Sequence, residues 1–154
     1  MYRNLEHLVS VIESNPGKMN TAVRSAIDHV LWTDYTGFDK IDDLSKPEKT
    51  IIGTCIERAI RNEFDIPLPK FLDIGFADGT YADIKTTCRN TWMIPRECVG
   101  HMCLLIKIDD NKYSVGTFRA REDSLTEGRN QDKKRSVSAK GKKTIEWILR
   151  EEEY

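Results

Sequence analysis

Around Pro67 and Pro69 the apolar residues of this chain change period, from spacings of three and four to alternation. That switch restricts the fold to a helical block followed by a block of strands in one mixed α/β domain. Upstream, Leu5, Leu8, Val9 and Ile12 form one helical face between Tyr2 and Glu13, and Asn15-Pro16-Gly17 interrupts it. Asn20 or Thr21 is suited to cap a second helix burying Val23, Ile27, Val30 and Leu31. Residues 33–44 read as loop. Ser45-Lys46-Pro47-Glu48 then combines a cap, a first-turn proline and a capping-box glutamate. The helix it opens carries a broad stripe of Ile51, Ile52, Cys55, Ile56, Ala59, Ile60 and Phe64, which marks it as central.

Downstream, Phe71–Phe76 and Thr80–Lys85 predict a hairpin turning at Asp78-Gly79. Cys98–Ile108 reads as a buried strand, and Asp109-Asp110-Asn111 turns it into a second over Tyr113–Arg121. After a polar, basic stretch from 122 to 143, Ile145, Ile148 and Leu149 predict a closing helix from about Lys142 to Glu153. A length of 154 residues suits a single domain covering 1–154. Four cysteines without a CxxC pair argue against zinc and against disulfide staples, leaving free thiols in a reducing compartment. The N-terminus does not resemble a signal peptide, and no run of about 18 apolar residues is present; a soluble cytoplasmic protein is expected.

The chemistry lies in the hairpin. Asp83 and Lys85, two apart in a strand, point to the same face, and correct pairing brings Asp73 beside Asp83. Two adjacent carboxylates repel unless a cation separates them, and hard oxygen ligands favour Mg²⁺. A lysine next to such an ion can orient or deprotonate water and neutralise transition-state charge, which is phosphodiester-hydrolysis chemistry. The same string equally describes a surface hairpin with an Asp–Lys pair, and Glu57 taken alone is an ordinary surface glutamate. The formal net charge of −1 announces no polyanionic partner, although clustered carboxylates can conceal a basic face in such a sum.

Asp73…Asp83-Ile84-Lys85 resembles the PD-(D/E)xK nuclease motif. Three further stretches resemble the endonuclease domain of the NaeI family of type II restriction enzymes. They are Lys46-Pro47-Glu48-Lys49-Thr50 through Gly53-Thr54-Cys55-Ile56-Glu57, then Trp92-Met93-Ile94-Pro95-Arg96-Glu97, then Gly128-Arg129-Asn130-Gln131-Asp132-Lys133-Lys134-Arg135. Their order and separations agree with that family from about residue 20 onward. The resemblance implies a restriction-endonuclease-like mixed sheet flanked by helices, and Mg²⁺-dependent, site-specific cleavage of double-stranded DNA. It makes Glu57, Asp73, Asp83 and Lys85 the catalytic set, with Glu57, Asp73 and Asp83 as metal ligands. The arrangement is also similar to the mismatch-repair nicking enzyme MutH. Nicking, or DNA binding without catalysis, are the alternatives. The family's namesake carries a second, C-terminal DNA-binding domain with no counterpart here, so a one-site enzyme is expected.

Residues 129–143 gather Arg129, Lys133, Lys134, Arg135, Lys140, Lys142 and Lys143 against Asp132, a candidate phosphate-binding face. Within it Asn130 and Arg135 suit adenine and guanine edges. Asn90 and Arg96 flank Trp92 and are further DNA-facing candidates; Trp92, Met93 and Ile94 are core or dimer contacts. A palindromic target implies a homodimer, with the N-terminal helices as candidate interface. His7, His29 and His101 are isolated, and His101 is read as a core histidine.

Overall fold

The computed structural model describes residues 1–32, 37, 40–127 and 134–154. The helical block comes first: α1 (Leu5–Ser14), α2 (Pro16–Leu31) and α3 (Lys46–Glu63). Asn4 caps α1 by accepting from His7 N. The second helix starts at Pro16, ahead of the expected Asn20 or Thr21, because Pro16 occupies its first turn, where no N–H is required. At α3 the capping box is formed as expected: Ser45 accepts from Glu48 N while the Glu48 side chain accepts from Ser45 N.

The strands are β1 (Ile74–Gly75), β2 (Tyr81–Thr87), β3 (Met93–Ile94), β4 (Met102–Ile108), β5 (Lys112–Arg119), β6 (Arg135–Ser136) and β7 (Glu146–Glu153), with a short helix α4 (Ala139–Lys142) before β7. Five of them form one mixed sheet in the order β1-β2-β4-β5-β7, in which only β2 and β4 run parallel. The remaining pair, β3 and β6, makes a small antiparallel ribbon beside it. Alternation along β4 serves two cores. Leu104, Ile106 and Ile108 face the helices, with Ile52, Ile56 and Ile60 of α3 and Val23 and Ile27 of α2. Cys103 and Leu105 face the other way, against Trp92, Ile94, Phe118 and Val137. Burial on both sides explains why this strand reads as a nearly continuous apolar run.

Two expectations are corrected. The closing segment is a strand, not a helix: β7 pairs with β5 through register shifts between Tyr113 and Val115 and between Val115 and Gly116. The shifts send Trp147 to one core and Leu149 to the other, so strict alternation is lost and a helix-like spacing appears in the sequence. The strand predicted over Phe71–Phe76 shrinks to Ile74–Gly75, because Leu72 takes φ = 53° and turns the chain just before Asp73. The apolar faces of the N-terminal helices, including Leu8, Ile12, Met19 and Val23, are consumed in the core. No described helix is long and apolar enough to cross a membrane.

Candidate active site

The hairpin turn sets the geometry. Gly79 adopts φ = 87°, Gly79 N donates to Phe76 O, and Asp78 accepts from Thr80 N, fixing Ile74 opposite Ala82. In this register Ile84 would lie opposite Leu72, two positions before the first residue of β1, so β1 does not cover it. The Asp73 carboxylate takes over the role of the missing strand, its Oδ2 accepting from Ile84 N at 2.8 Å. The candidate acid thereby satisfies an edge amide and is held against β2.

Asp83 and Lys85 project to the opposite side of β2 from Ile84, on the face shared with Cys103 and Leu105. Asp83 is buried, and its Oδ2 lies 2.9 Å from Lys85 Nζ. A third group reaches the same oxygen: the Cys98 thiol, fully buried in the short 3-10 turn Arg96–Cys98, donates to it at 2.9 Å. Nothing in the sequence marked Cys98, a single thiol on a different element from Asp83.

Electrostatics divide the two acids. Burial first, then the facing Asp83 carboxyl, pushes Asp73 up to about 8. Burial pulls Asp83 the same way, but hydrogen bonds from Asp73, Cys98 and Lys85 outweigh it and hold Asp83 below the ordinary carboxylate range. Burial opposes the charge on Lys85, yet Asp83 beside it keeps the ammonium above its usual pKa. The pair therefore shares one proton in the absence of a cation.

Glu57 reaches this centre from α3. Arg61, one turn on, donates to its Oε1 at 3.0 Å and to Pro67 O at 3.1 Å, so the glutamate is fixed in direction. It lies against Asp73 rather than Asp83, because α3 packs on the Ile84 face of the sheet. The site thus wraps around the β2 edge: Glu57 on one face, Asp83 and Lys85 on the other, and Asp73 between them. Among the described residues no group of three or more His, Cys, Asp or Glu side chains converges as a metal cage.

A cleft of about 640 Å³ opens along this edge, lined among others by Glu57, Asp73, Lys85, Thr87, Arg89 and Lys134. Another cavity, of about 540 Å³ around Leu5, Phe118, Arg121 and Glu146, is lined by none of the predicted catalytic residues. Of the DNA-facing candidates, Lys134 lines the cleft, Asn90 is exposed near its rim and accepts from Lys107 Nζ at 3.2 Å, and Arg96 is exposed on its turn. Arg129, Asn130 and Lys133 lie outside the described residues.

Arg135 turns inward. Its side chain is buried, its Nε donates to Thr126 O at 2.6 Å, and its guanidinium pairs with Glu122. Trp92 and Ile94 are core, with Trp92 Nε1 donating to Ile106 O at 3.0 Å, whereas Met93 is exposed on the cleft wall. His101 is only half-buried and stacks edge-on with Phe71.

Residues 8–154 match the family described as restriction endonuclease NaeI. The chain belongs to the NaeI restriction endonuclease family. It is 28% identical over 130 residues to the type II restriction enzyme NaeI of Lentzea aerocolonigenes, a match covering 80% of this chain and 39% of that protein. The chain therefore spans about two fifths of the length of this curated NaeI relative. Within the NaeI-family match fall all of Glu57, Asp73, Asp83 and Lys85.

Proposed function

We propose that this chain is a site-specific endonuclease that hydrolyses phosphodiester bonds in double-stranded DNA with Mg²⁺. The observation that carries the reading is the junction of Asp73, Asp83 and Lys85 along β2, with Asp73 and Lys85 lining a cleft and Asp83 buried behind them, in a chain of the NaeI family. A carboxylate pair that retains a proton up to about 8 has an unmet demand for positive charge, which a divalent cation meets. Two carboxylates without a larger cage suit Mg²⁺, which commonly binds one or two carboxylates and keeps several waters.

Asp73 and Asp83 would hold the ion, with Glu57 as the third acid of the set beside Asp73. When bound, the ion polarises a phosphate oxygen and acidifies a coordinated water. Asp83 orients Lys85 through their ion pair. Lys85, kept cationic by Asp83, offsets the negative charge that grows on the phosphate under attack. Asp73, anchored by Ile84 N, lines the cleft. Cutting both strands of a palindromic site needs two such centres, so a homodimer is the matching assembly.

The test is cleavage of supercoiled plasmid with and without Mg²⁺. Linear product at discrete sites, abolished in Asp83→Ala and Lys85→Ala, supports the reading. Open circles without linear product assign nicking instead, and cleavage that survives Asp83→Ala removes this site from the chemistry.

A further inference from the structure

The helix that delivers Glu57 shows a polar face along its whole length. Lys46, Lys49, Thr50, Gly53, Thr54 and Glu57 stand at i, i+3, i+4, i+7, i+8 and i+11, on one helical face, and all line the cleft. Gly53 sets the floor: a Cβ placed there would lie 4.0 Å from Thr86 Cβ, so helix and strand approach closely without side-chain bulk between them. Across the floor, Thr86, Thr87 and Arg89 at the end of β2 form the opposite wall.

Charge is arranged along this groove in one direction. Glu57 and Asp73, with the Asp83-paired Lys85 beside them, occupy one end, and Lys46, Lys49 and Arg89 the other. Those three cations have no ion-pair partner among the described residues. Thr86 Oγ1 is enclosed in the floor without a hydrogen-bond partner among the described residues. The helix N-terminus itself is not the attraction, since the Ser45–Glu48 capping box already engages it and brings its own carboxylate. The side chains carry the positive potential.

We infer that this groove is a phosphate track, in which Lys46, Lys49 and Arg89 grip the backbone of one DNA strand and lead it to the acids; the inference rests on the nuclease reading. From Lys49 to Glu57 the helix rises about 12 Å, so the cations stand more than one nucleotide along the strand from the acids. Contacts of this kind carry no base information, so they set affinity and register while other residues read the sequence.

The experiment is fluorescence-anisotropy titration of short labelled duplexes of several unrelated sequences, without Mg²⁺, over a range of salt. It compares the wild type, Lys46→Gln/Lys49→Gln/Arg89→Gln, and Lys18→Gln as a control on the exposed face of α2. Each phosphate contact removed lowers the salt slope by about 0.9. Between about 50 and about 200 mM salt the wild type should therefore lose about 40-fold more affinity than the triple variant, equally for every duplex. The Lys18→Gln slope should match the wild type's, and circular dichroism should show all three proteins folded. A triple variant with the wild-type slope overturns the track. So does a loss confined to one duplex sequence, which would assign base reading to these residues. A wild type that binds none of the duplexes overturns the nuclease reading itself, and the track with it.

Discussion

Cys98 donates its thiol hydrogen to Oδ2 of Asp83 across 2.9 Å, and Lys85 Nζ meets that same oxygen at 2.9 Å. The contact with Cys103, burial and the neighbouring Asp83 all push Cys98 far above its ordinary pKa, so it is a neutral donor and not a thiolate. Its role follows from position. With two donors on Oδ2, the carboxylate of Asp83 is fixed in direction.

Cys98→Ala should then weaken cation binding by about tenfold, the lower range for loss of a hydrogen bond that orients a metal ligand. Thermal melts across a Mg²⁺ series, without DNA, measure this as a rise in the concentration giving half the full increase in Tm. Cys98→Ser, which keeps a donor in place, should restore the midpoint. A shared loss of Tm with an unmoved Mg²⁺ midpoint would reduce Cys98 to packing.

Asp73 links stability to pH. Its folded-state pKa of about 8 stands above the ordinary carboxyl value of 3.8. The protonated form is thus favoured by folding. Its contribution is complete below pH of about 4 and disappears as pH rises through about 8. Without metal, the wild type should lose Tm relative to Asp73→Asn across that interval. Asp83 is shifted the other way, and its contribution is lost only in the acid range below its ordinary pKa. The proposed Mg²⁺ would have to displace the shared proton, so any Tm increase it produces should grow from pH 6 toward 8. A pH-independent Mg²⁺ effect would contradict the coupling.

The buried guanidinium of Arg135 yields a prediction about stability where the sequence had suggested base recognition. Its partners are Thr126 O, Glu122 O and the Glu122 carboxylate, and Thr126 N in turn donates to Ser136 O. The Glu122 side chain is largely exposed, so the pair counts for less than a fully buried one. Arg135→Ala should cost about 2 kcal/mol, from carbonyl acceptors left without a donor, which corresponds to about 4–8 °C in Tm. Arg135→Lys should not restore it, since a lysine cannot reproduce the planar fork. Unchanged Tm with lost DNA affinity would return Arg135 to the DNA-facing set.

Much of this architecture was legible because it is local. The Ser45–Glu48 box, the Asp78-Gly79 turn and the i, i+2 relation of Asp83 to Lys85 depend on residues close together in sequence. What escaped depends on pairing at a distance. The Asp73–Ile84 N bond needs β1 to start two residues short of Ile84, and the Cys98 donor needs the 3-10 turn to pack against β2. The closing strand was misread because its bulges, one of them accommodating Glu151 at φ = 55°, erase the alternation that identifies a strand. The inward turn of Arg135 was not legible because a basic run is defined by composition, whereas the direction of one guanidinium is set by Glu122, on a different element.

Two glycines provide a matched pair of substitutions for the fold and the cleft. At Gly116 an added Cβ would stand 2.7 Å from Ile145 Cγ2 and 3.1 Å from Glu146 O, where β5 meets the start of β7. Gly116→Ala must therefore push β7 away or distort its first residues, at about 1–3 kcal/mol. At Gly53 the nearest atom, Thr86 Cβ, is 4.0 Å away, which is ordinary contact distance. Gly53→Ala in the middle of α3 should stabilise the helix by about 1 kcal/mol. Urea unfolding of both variants decides the matter. Midpoints shifted in opposite directions at unchanged slope confirm the tight β5–β7 junction and the open floor between α3 and β2. A destabilised Gly53→Ala would mean that helix and strand lie closer than 4.0 Å contact allows, and a neutral Gly116→Ala would mean that β7 does not seat on β5 at that residue.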